Sequence, residues 1–279
     1  MIIQSSTTKN ITIILSILLL VGIGFWVYKI STKKLDDQNQ TKNIATMSKI
    51  SQNSQTLDVQ TQDNLQYFSG ANGYLAKPKT TGNYPGIVMI HENRGLRPEI
   101  KTTADNLAKQ GYMVLAVDLL GGVAEDQAGA KELTSKFNQE SGIKNMQTAV
   151  KYLRDNGATK VGSLGWCFGG NQAVKLSTSG EKLDATVVYY GGNMATSVQD
   201  LRPITWSVLG VFGDEDKNPS PAQVKTFKES LDTLGIKNEI YSYPKVGHAF
   251  ANPSGKSYAP EPTADAWQKT LTFLNKNLK

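Results

Sequence analysis

The chain has 279 residues, of which 39% are hydrophobic and 19% are charged, values typical of a globular protein and not of a disordered one. Its net charge of +6 is spread without a block of like charges, so the sequence gives no support for nucleic-acid binding. The single cysteine excludes an intrachain disulfide, and the presence of only two histidines argues against a multi-histidine metal site.

The N-terminal segment predicts a membrane anchor. No residue from Asn10 to Tyr28 is charged, and as a helix this stretch spans roughly 28 Å, close to the thickness of a bilayer's hydrocarbon core. Trp26 lies near one end, where aromatic residues of membrane helices concentrate. A cleaved signal peptide is disfavoured because no clean small-x-small site follows. We therefore predict an anchor over residues 1–30, with a single-pass signal-anchor helix at about 11–28.

Two sequence signals disagree about the side of the membrane on which the rest of the chain lies. Lys29, Lys33 and Lys34 follow the predicted span and only Lys9 precedes it, which by the positive-inside rule favours the cytoplasmic side. A short N-terminal tail is instead typical of an exported domain, and we favour an extracytoplasmic location. Residues 31–65 are rich in Gln, Asn, Ser, Thr and Lys, a composition that predicts a flexible polar linker.

Residues 66–279 predict one α/β domain. The predicted strands are Gln66–Phe68, Gly73–Ala76, Gly86–Ile90, Tyr112–Val117, Lys160–Gly165, Ala185–Tyr190, Ser207–Phe212 and Glu239–Tyr243. The predicted helices include residues 98–110, 126–138, 142–156, 220–234 and 262–277. Because strands alternate with helices, we expect a mainly parallel sheet with helices on both faces.

The sharpest chemical signal is the Gly-x-Cys-x-Gly sequence around Cys167. It joins the strand that ends at Gly165 to a stretch with helical spacing that begins near Asn171, which predicts the strand, turn and helix of a nucleophile elbow. The residues two before and two after the nucleophile, Gly165 and Gly169, must be small because the strand and helix cross closely there. A helix N-terminus also favours a thiolate. The alternative is a buried structural cysteine in a Gly-rich turn.

Partners for Cys167 are expected after later strands, because ligands of open α/β sheets bind outside the carboxyl ends of the strands. His248 follows the strand that ends at Tyr243, and three acidic residues follow the strand that ends at Phe212. The order of nucleophile, acid and base along the chain is that of the α/β-hydrolases. We choose Asp216 as the acid that orients His248. The alternatives are Asp214, which is the reserve, Glu215 and a solvated acidic loop.

The loop from His91 to Leu96 follows the strand that supplies one oxyanion N–H in such folds. We expect the backbone N–H groups of Asn93 and Phe168 to form the oxyanion hole. Glu92 is unusual in a hydrolase pocket, and it either accepts a proton from the thiol or pairs with Arg94. His91 precedes the nucleophile in the chain, so we expect a structural or pocket-rim role for it.

Together these motifs resemble those of the dienelactone hydrolase family of α/β-hydrolases, over roughly residues 66–279. The resemblance rests on four stretches: Ile90–Leu96, Gly165–Gly170, Gly213–Pro219 and Gly247–Phe250. It implies a catalytic triad of Cys167, Asp216 and His248, and hydrolysis of a small ester or lactone through an acyl-cysteine without metal or organic cofactor. It also implies that Glu92 takes the thiol proton when substrate binds.

The chain departs from the dienelactone-cleaving members of that family, which hold the substrate carboxylate with two arginines. The first arginine is missing from the loop Asp118–Gly122, and Asn252 stands four residues after His248. Arg94 is then a candidate pocket cation, and we add Trp166 and Tyr190, at the ends of two strands, as candidate pocket residues. The resemblance therefore implies the chemistry but not the dienelactone substrate.

Two other functions compete with this hydrolase hypothesis. Class I glutamine amidotransferases also use Gly-x-Cys-x-Gly, but they need a His-x-Glu sequence, and here His248 is followed by Ala249 and Phe250. The other is a catalytically inactive binding protein with a hydrolase fold, tethered to the membrane. An intact triad argues against it.

Overall fold

The computed structural model describes residues 56–279, in which a single eight-stranded sheet has helices on both faces. The strands are β1 (Val59–Phe68), β2 (Ala71–Pro78), β3 (Gly86–Ile90), β4 (Met113–Val117), β5 (Val161–Trp166), β6 (Ala185–Tyr189), β7 (Ser207–Gly213) and β8 (Asn238–Tyr243). The helices are α1 (Pro98–Lys109), α2 (Gln127–Ser135), α3 (Gln139–Asp155), α4 (Phe168–Ser177), α5 (Val198–Leu201), α6 (Pro221–Thr233) and α7 (Pro260–Leu278).

The strand order is β1-β2-β4-β3-β5-β6-β7-β8, and β3 to β8 are parallel to one another. Only the pairs β1–β2 and β2–β4 are antiparallel. The central strands are buried along their whole length and are almost entirely apolar, as expected when helices cover both faces of a parallel sheet. This arrangement confirms the predicted α/β architecture with a mainly parallel sheet.

Alternate residues of each central strand reach opposite cores. In β3, Ile87 and Met89 join the core under α1 and α7, whereas Val88 and Ile90 join the core under α3 and α4. Helix α6 covers the same face as α4 at the far end of the sheet. The carboxyl ends of β3, β5, β6, β7 and β8 therefore lie along one edge, where the candidate residues follow them.

The predicted start of the domain at residue 66 is too late. Strand β1 begins at Val59 and pairs with β2 from Val59 opposite Pro78 to Phe68 opposite Ala71. Most side chains in its first half are polar and exposed. Pairing at the edge of a sheet uses backbone groups and needs few apolar side chains, so an edge strand can be polar. For that reason the polar composition of this stretch predicted a linker. Part of the predicted linker 31–65 is therefore strand.

Helix boundaries differ from their predictions by a few residues. Helix α2 ends at Ser135, and α3 already begins at Gln139, where the Asn138 side chain accepts a hydrogen bond from Ser141 N at 2.9 Å. The four-residue helix α5 was not predicted, because four residues are too few to show helical periodicity.

The predicted anchor over residues 1–30 and most of the linker lie outside the residues that the structure describes. Within residues 56–279, no helix has the length and apolar character to cross a membrane.

Candidate active site

Cys167 occupies a strained bend between β5 and α4. Its backbone has φ 55° and ψ −115°, in a region that non-glycine residues rarely adopt. The bend is held from the next strand, because Cys167 N donates to Tyr189 O at 3.0 Å. Helix α4 begins at the following residue, so the half-buried thiol lies at a helix N-terminus. This is the geometry expected of a nucleophile elbow.

Glycine is required on both sides of the bend. A Cβ atom at Gly165 would overlap the carbonyl oxygen of Gly169, and one at Gly169 would overlap the carbonyl oxygens of Ile90 and His91. The backbone of α4 therefore packs directly on that of β5 and β3. Glycine, which has no side chain, meets the predicted requirement for a small residue at both positions.

The structure brings together three residues that lie far apart in the sequence. His248 Nε2 lies 3.0 Å from Cys167 Sγ, and His248 Nδ1 lies 2.8 Å from Asp216 Oδ2. Because the carboxylate can only accept, Nδ1 carries a proton and donates to it. In the neutral imidazole, Nε2 is then the lone-pair nitrogen that faces the thiol.

Of the three candidate acids, Asp216 is the one joined to His248. Asp216 is buried, and its other oxygen, Oδ1, accepts a hydrogen bond from Asn218 N at 2.9 Å. Asp214 and Glu215 are exposed to solvent. The carboxylate of Asp216 is thus held in place on both of its oxygens.

The environment of His248 favours its protonated form. Burial lowers its pKa, but the hydrogen bonds to Asp216 and Cys167, together with the charges of both partners, outweigh burial and raise the pKa to about 10. The imidazole is therefore a strong acceptor for the thiol proton.

Glu92 has partners other than those the sequence suggested. Tyr190 Oη donates to Glu92 Oε1 at 3.4 Å, and Asn252 Nδ2 donates to Oε2. Burial raises the pKa of Glu92, while the Asn252 hydrogen bond and the charge of His248 act in the opposite direction. The alternative pairing with Arg94 is wrong, because no ion pair joins the two residues in the structure. Within residues 56–279, no hydrogen bond joins Glu92 to Cys167 either.

His91 holds two loops together. Its Nδ1 donates to Glu92 O at 2.6 Å, and its Nε2 accepts from Leu119 N at 3.1 Å. These partners assign the neutral tautomer with the proton on Nδ1, and complete burial lowers the pKa of His91. The predicted structural role is consistent with this position between the loops after β3 and β4.

The two backbone groups predicted for the oxyanion hole have no acceptor among the described residues. Phe168 is the first residue of α4, so its N–H has no partner within the helix. Asn93 lies in the loop after β3, and its N–H also lacks a protein acceptor in this part of the chain. The ring of Phe168 is fixed by stacking on His91, with 6.1 Å between the ring centroids.

A cavity of about 400 Å³ adjoins these residues. Trp166 and Tyr190, both predicted as pocket residues, line it together with Glu92 and Asn252. Arg94 is half-buried but is not among the residues that line this cavity. Trp267 in α7 also lines it. That role was not predicted, because Trp267 lies in an ordinary amphipathic helix, far from every motif.

The described residues include no cluster of three or more His, Cys, Asp or Glu side chains arranged to hold a metal ion. That the reaction needs no cofactor stays a prediction.

The sheet order and the elbow define this domain as an α/β-hydrolase. Residues 71–278 match the model of the "Dienelactone hydrolase family". Since this match covers most of the chain, the protein belongs to the dienelactone hydrolase family. It is accordingly a hydrolase of ester or lactone bonds.

Curated relatives and a solved structure agree with this family. A "Putative carboxymethylenebutenolidase" of Saccharolobus solfataricus is 29% identical, over 68% of this chain and 88% of its own length. A "Probable 2-oxo-3-(5-oxofuran-2-ylidene)propanoate lactonase" of Bradyrhizobium is 27% identical, over 75% of this chain and 92% of its own. The fold is also that of the "Dienelactone Hydrolase-like Promiscuous Phospotriesterase P91" from metagenomic libraries. That structure has a TM-score of 0.72 at 22% identity and covers 79% of this chain and 99% of its own.

Replacing Gly169 by alanine tests the close packing at the elbow. Because the added methyl group must displace the backbone of β3 or α4, we expect Gly169→Ala to lower the free energy of unfolding by about 3 kcal/mol. Urea denaturation measures the loss. The control is Gly122→Ala, whose methyl group would meet only a Leu133 methyl at 3.4 Å. Equal stability of the two variants would show that the elbow is not tightly packed.

Proposed function

We propose that the protein hydrolyses small esters or lactones through an acyl-cysteine, with Cys167 as nucleophile, His248 as base and Asp216 as the group that orients His248. The observation that supports this proposal is the unbroken chain of contacts from Cys167 Sγ through the His248 ring to the buried Asp216 carboxylate. The half-buried thiol on a strained backbone at a helix N-terminus adds to it.

In the first half of the proposed reaction, the Cys167 thiol transfers its proton to His248 Nε2, and the sulfur attacks the substrate carbonyl carbon. As the C–S bond forms, the negative charge moves to the carbonyl oxygen, where the N–H groups of Asn93 and Phe168 stabilise it. The tetrahedral intermediate then collapses and the C–O bond breaks. His248 returns its proton to the departing alkoxide, which leaves as an alcohol.

In the second half, water attacks the acyl-cysteine. His248 accepts a proton from the water, and a C–O bond to the acyl carbon forms as the second tetrahedral intermediate. When the C–S bond breaks, the sulfur leaves with the bonding pair and recovers a proton from His248. The acid product leaves, and the enzyme returns to its starting state. A lactone follows the same steps, with the alcohol and acid in one molecule.

Glu92 is proposed as an additional proton acceptor for the thiol. Burial raises the pKa of Glu92, which makes its carboxylate a better proton acceptor than an exposed one. In the structure its two oxygens accept hydrogen bonds from Tyr190 and Asn252, so this role requires the carboxyl group to leave Asn252 and turn toward Cys167.

A binding protein without activity is the alternative, and three observations disfavour it. A pure binding protein gains nothing from a strained residue at position 167, from a histidine aligned with its sulfur, or from a buried carboxylate behind that histidine. The strained backbone at position 167 costs stability, and all three features have a use in acyl transfer.

Substitutions within the triad test the mechanism. Cys167→Ala and His248→Ala are expected to lower kcat/KM for p-nitrophenyl acetate by about 10³-fold or more. Asp216→Asn should cost about 10²-fold or more, because the tautomer of His248 is then no longer specified. Asp214→Asn, at an exposed carboxylate, is the matched control and should cost less than about threefold.

Mass spectrometry of the intact protein gives a second readout of the same mechanism. With one cysteine in the chain, a single acyl adduct should form during turnover of a slowly hydrolysed ester and be absent in Cys167→Ala. Persistence of the adduct in that variant, or equal losses of activity in Asp216→Asn and Asp214→Asn, would refute the proposed roles.

The raised pKa of His248 predicts an alkaline limit. The imidazolium that forms when His248 takes the Cys167 proton is kept below about pH 10 and is lost above it, so protonation of a poor leaving group fails there. We expect kcat/KM for an alkyl acetate to fall above about pH 10. The value for p-nitrophenyl acetate should not fall, because p-nitrophenolate leaves without protonation.

In Asp216→Asn the alkaline limit should move to lower pH, because the carboxylate that raises the pKa of His248 is gone. Rates are corrected with Cys167→Ala, and circular dichroism checks folding at each pH. The same limit for both esters would contradict this assignment.

We also propose that residues 1–30 tether the hydrolase to a membrane, with the domain on the extracytoplasmic side. The support is the uncharged stretch from Asn10 to Tyr28. We expect the full chain to stay with membranes after a carbonate wash, whereas a chain that begins at residue 56 is released. Protease added to intact cells should digest the domain. Recovery of the full chain in the soluble fraction would reject the anchor, and protection from protease would reject the sidedness.

A further inference from the structure

The cavity of about 400 Å³ lies beside the proposed catalytic residues. It is bounded by α1, by the ends of β5 and β6, by the segment after His248 and by α7. Its volume lies within the range of protein sites that hold small organic molecules. The cavity is therefore large enough for a substantial part of a substrate.

The cavity and the triad share structural residues. Trp166 lines the cavity and directly precedes Cys167 in the chain. Tyr190 also lines it, and the edge of its ring packs against His248, with 5.3 Å between the ring centroids. Cys167 and His248 are not among the lining residues, so the cavity lies next to the reacting atoms and not around them.

The lining of the cavity is largely apolar and contains no cation. Its largest side chains are those of Trp166, Trp267 and two tyrosines. Among the described residues that line it, the only carboxylates are Glu92 and Glu99, and no lysine or arginine is present. The nearby Arg97 guanidinium is already paired with Glu99 and Glu125, at 2.9 and 3.3 Å.

The residues that line the cavity favour a neutral occupant over an anionic one. A carboxylate placed there would lose hydration, find no counter-ion and be repelled by Glu99, whose pKa is lowered by its own backbone and by Arg97 in spite of partial burial. An aromatic ring or alkyl chain would instead bury apolar surface against the tryptophans.

We propose that this cavity binds an uncharged, apolar arm of the substrate, so that the enzyme prefers neutral esters or lactones with aryl or alkyl substituents to anionic ones. The inference rests on the hydrolase function proposed above. It adds the chemical class of the substrate and names α1 and α7 as the elements that select it.

The first test is a chain-length series. We expect kcat/KM to rise about threefold to fourfold for each methylene that enters the cavity. If the acyl arm occupies the cavity, the rise is seen from p-nitrophenyl acetate to octanoate. If the alcohol arm occupies it, the rise is seen from ethyl to octyl acetate. Thr103 in α1 lines the cavity. Thr103→Phe should flatten the rising series, because its ring fills the cavity.

Thr148→Phe is the matched control. Thr148 lies within α3 on the opposite face of the sheet, and its Oγ1 donates to Lys144 O at 2.8 Å. Thr103 makes the same contact with Glu99 O at 2.8 Å. Both substitutions therefore remove one equivalent hydrogen bond, but only one of them places a ring in the cavity. Thr148→Phe should keep the native length dependence.

The second test varies charge and does not depend on the first variant folding. We expect kcat/KM for p-nitrophenyl pentanoate to be about tenfold or more above that for p-nitrophenyl hemisuccinate, an anionic ester of similar length. Thr103→Lys should narrow this ratio, because it supplies a cation at the cavity. Preference for the hemisuccinate in the native enzyme, especially if Arg94→Met abolishes it, would overturn the proposal.

The results of these tests distinguish failure of the cavity proposal from failure of the proposed hydrolase function. If Cys167 is needed for acetate hydrolysis but neither arm shows a length dependence, or Thr103→Phe and Thr148→Phe behave alike, the cavity proposal fails and the hydrolase function stands. If no ester is hydrolysed, the proposed function itself fails.

Discussion

The site depends on a backbone constraint, the direct contact of α4 with β5 and β3 at Gly165 and Gly169. With no side chain between them, the helix begins immediately after the strand, and the residue at the bend is held in a conformation that it would not adopt freely. The thiol is therefore positioned mainly by the backbone packing of the sheet and helix, together with the hydrogen bond from Cys167 N to Tyr189 O. The cost of the strain is spread over a rigid part of the core.

The remaining groups reach Cys167 because parallel strands end at one edge of the sheet. Asp216 follows β7 and His248 follows β8, so loops from neighbouring strands meet beside β5. His91 contributes indirectly. Its two ring nitrogens bind the loops after β3 and β4, and this holds in place the loop that contains Asn93. The fold thus supplies the alignment, and the loops supply the chemistry.

The sequence was most informative where local rules apply. The apolar strands, the elbow and the order of candidate residues follow from short-range patterns, and the structure has the strands and the bend where these patterns put them. Only the last three residues of edge strand β1, Gln66–Phe68, were predicted, because pairing of the polar residues before them leaves no hydrophobic signal. The partners of Glu92 were missed because Asn252 reaches it across a long sequence separation, which no local pattern encodes.

The solitary sulfhydryl also governs how this molecule responds to oxidants. In its proposed role as the nucleophile beside a protonated His248, Cys167 is a ready target for peroxide, and the first product is a sulfenic acid. In many proteins a second cysteine captures that product as a disulfide, but this chain has no other. Recovery must then come from a thiol on another molecule, and without one the oxidation proceeds to irreversible acids.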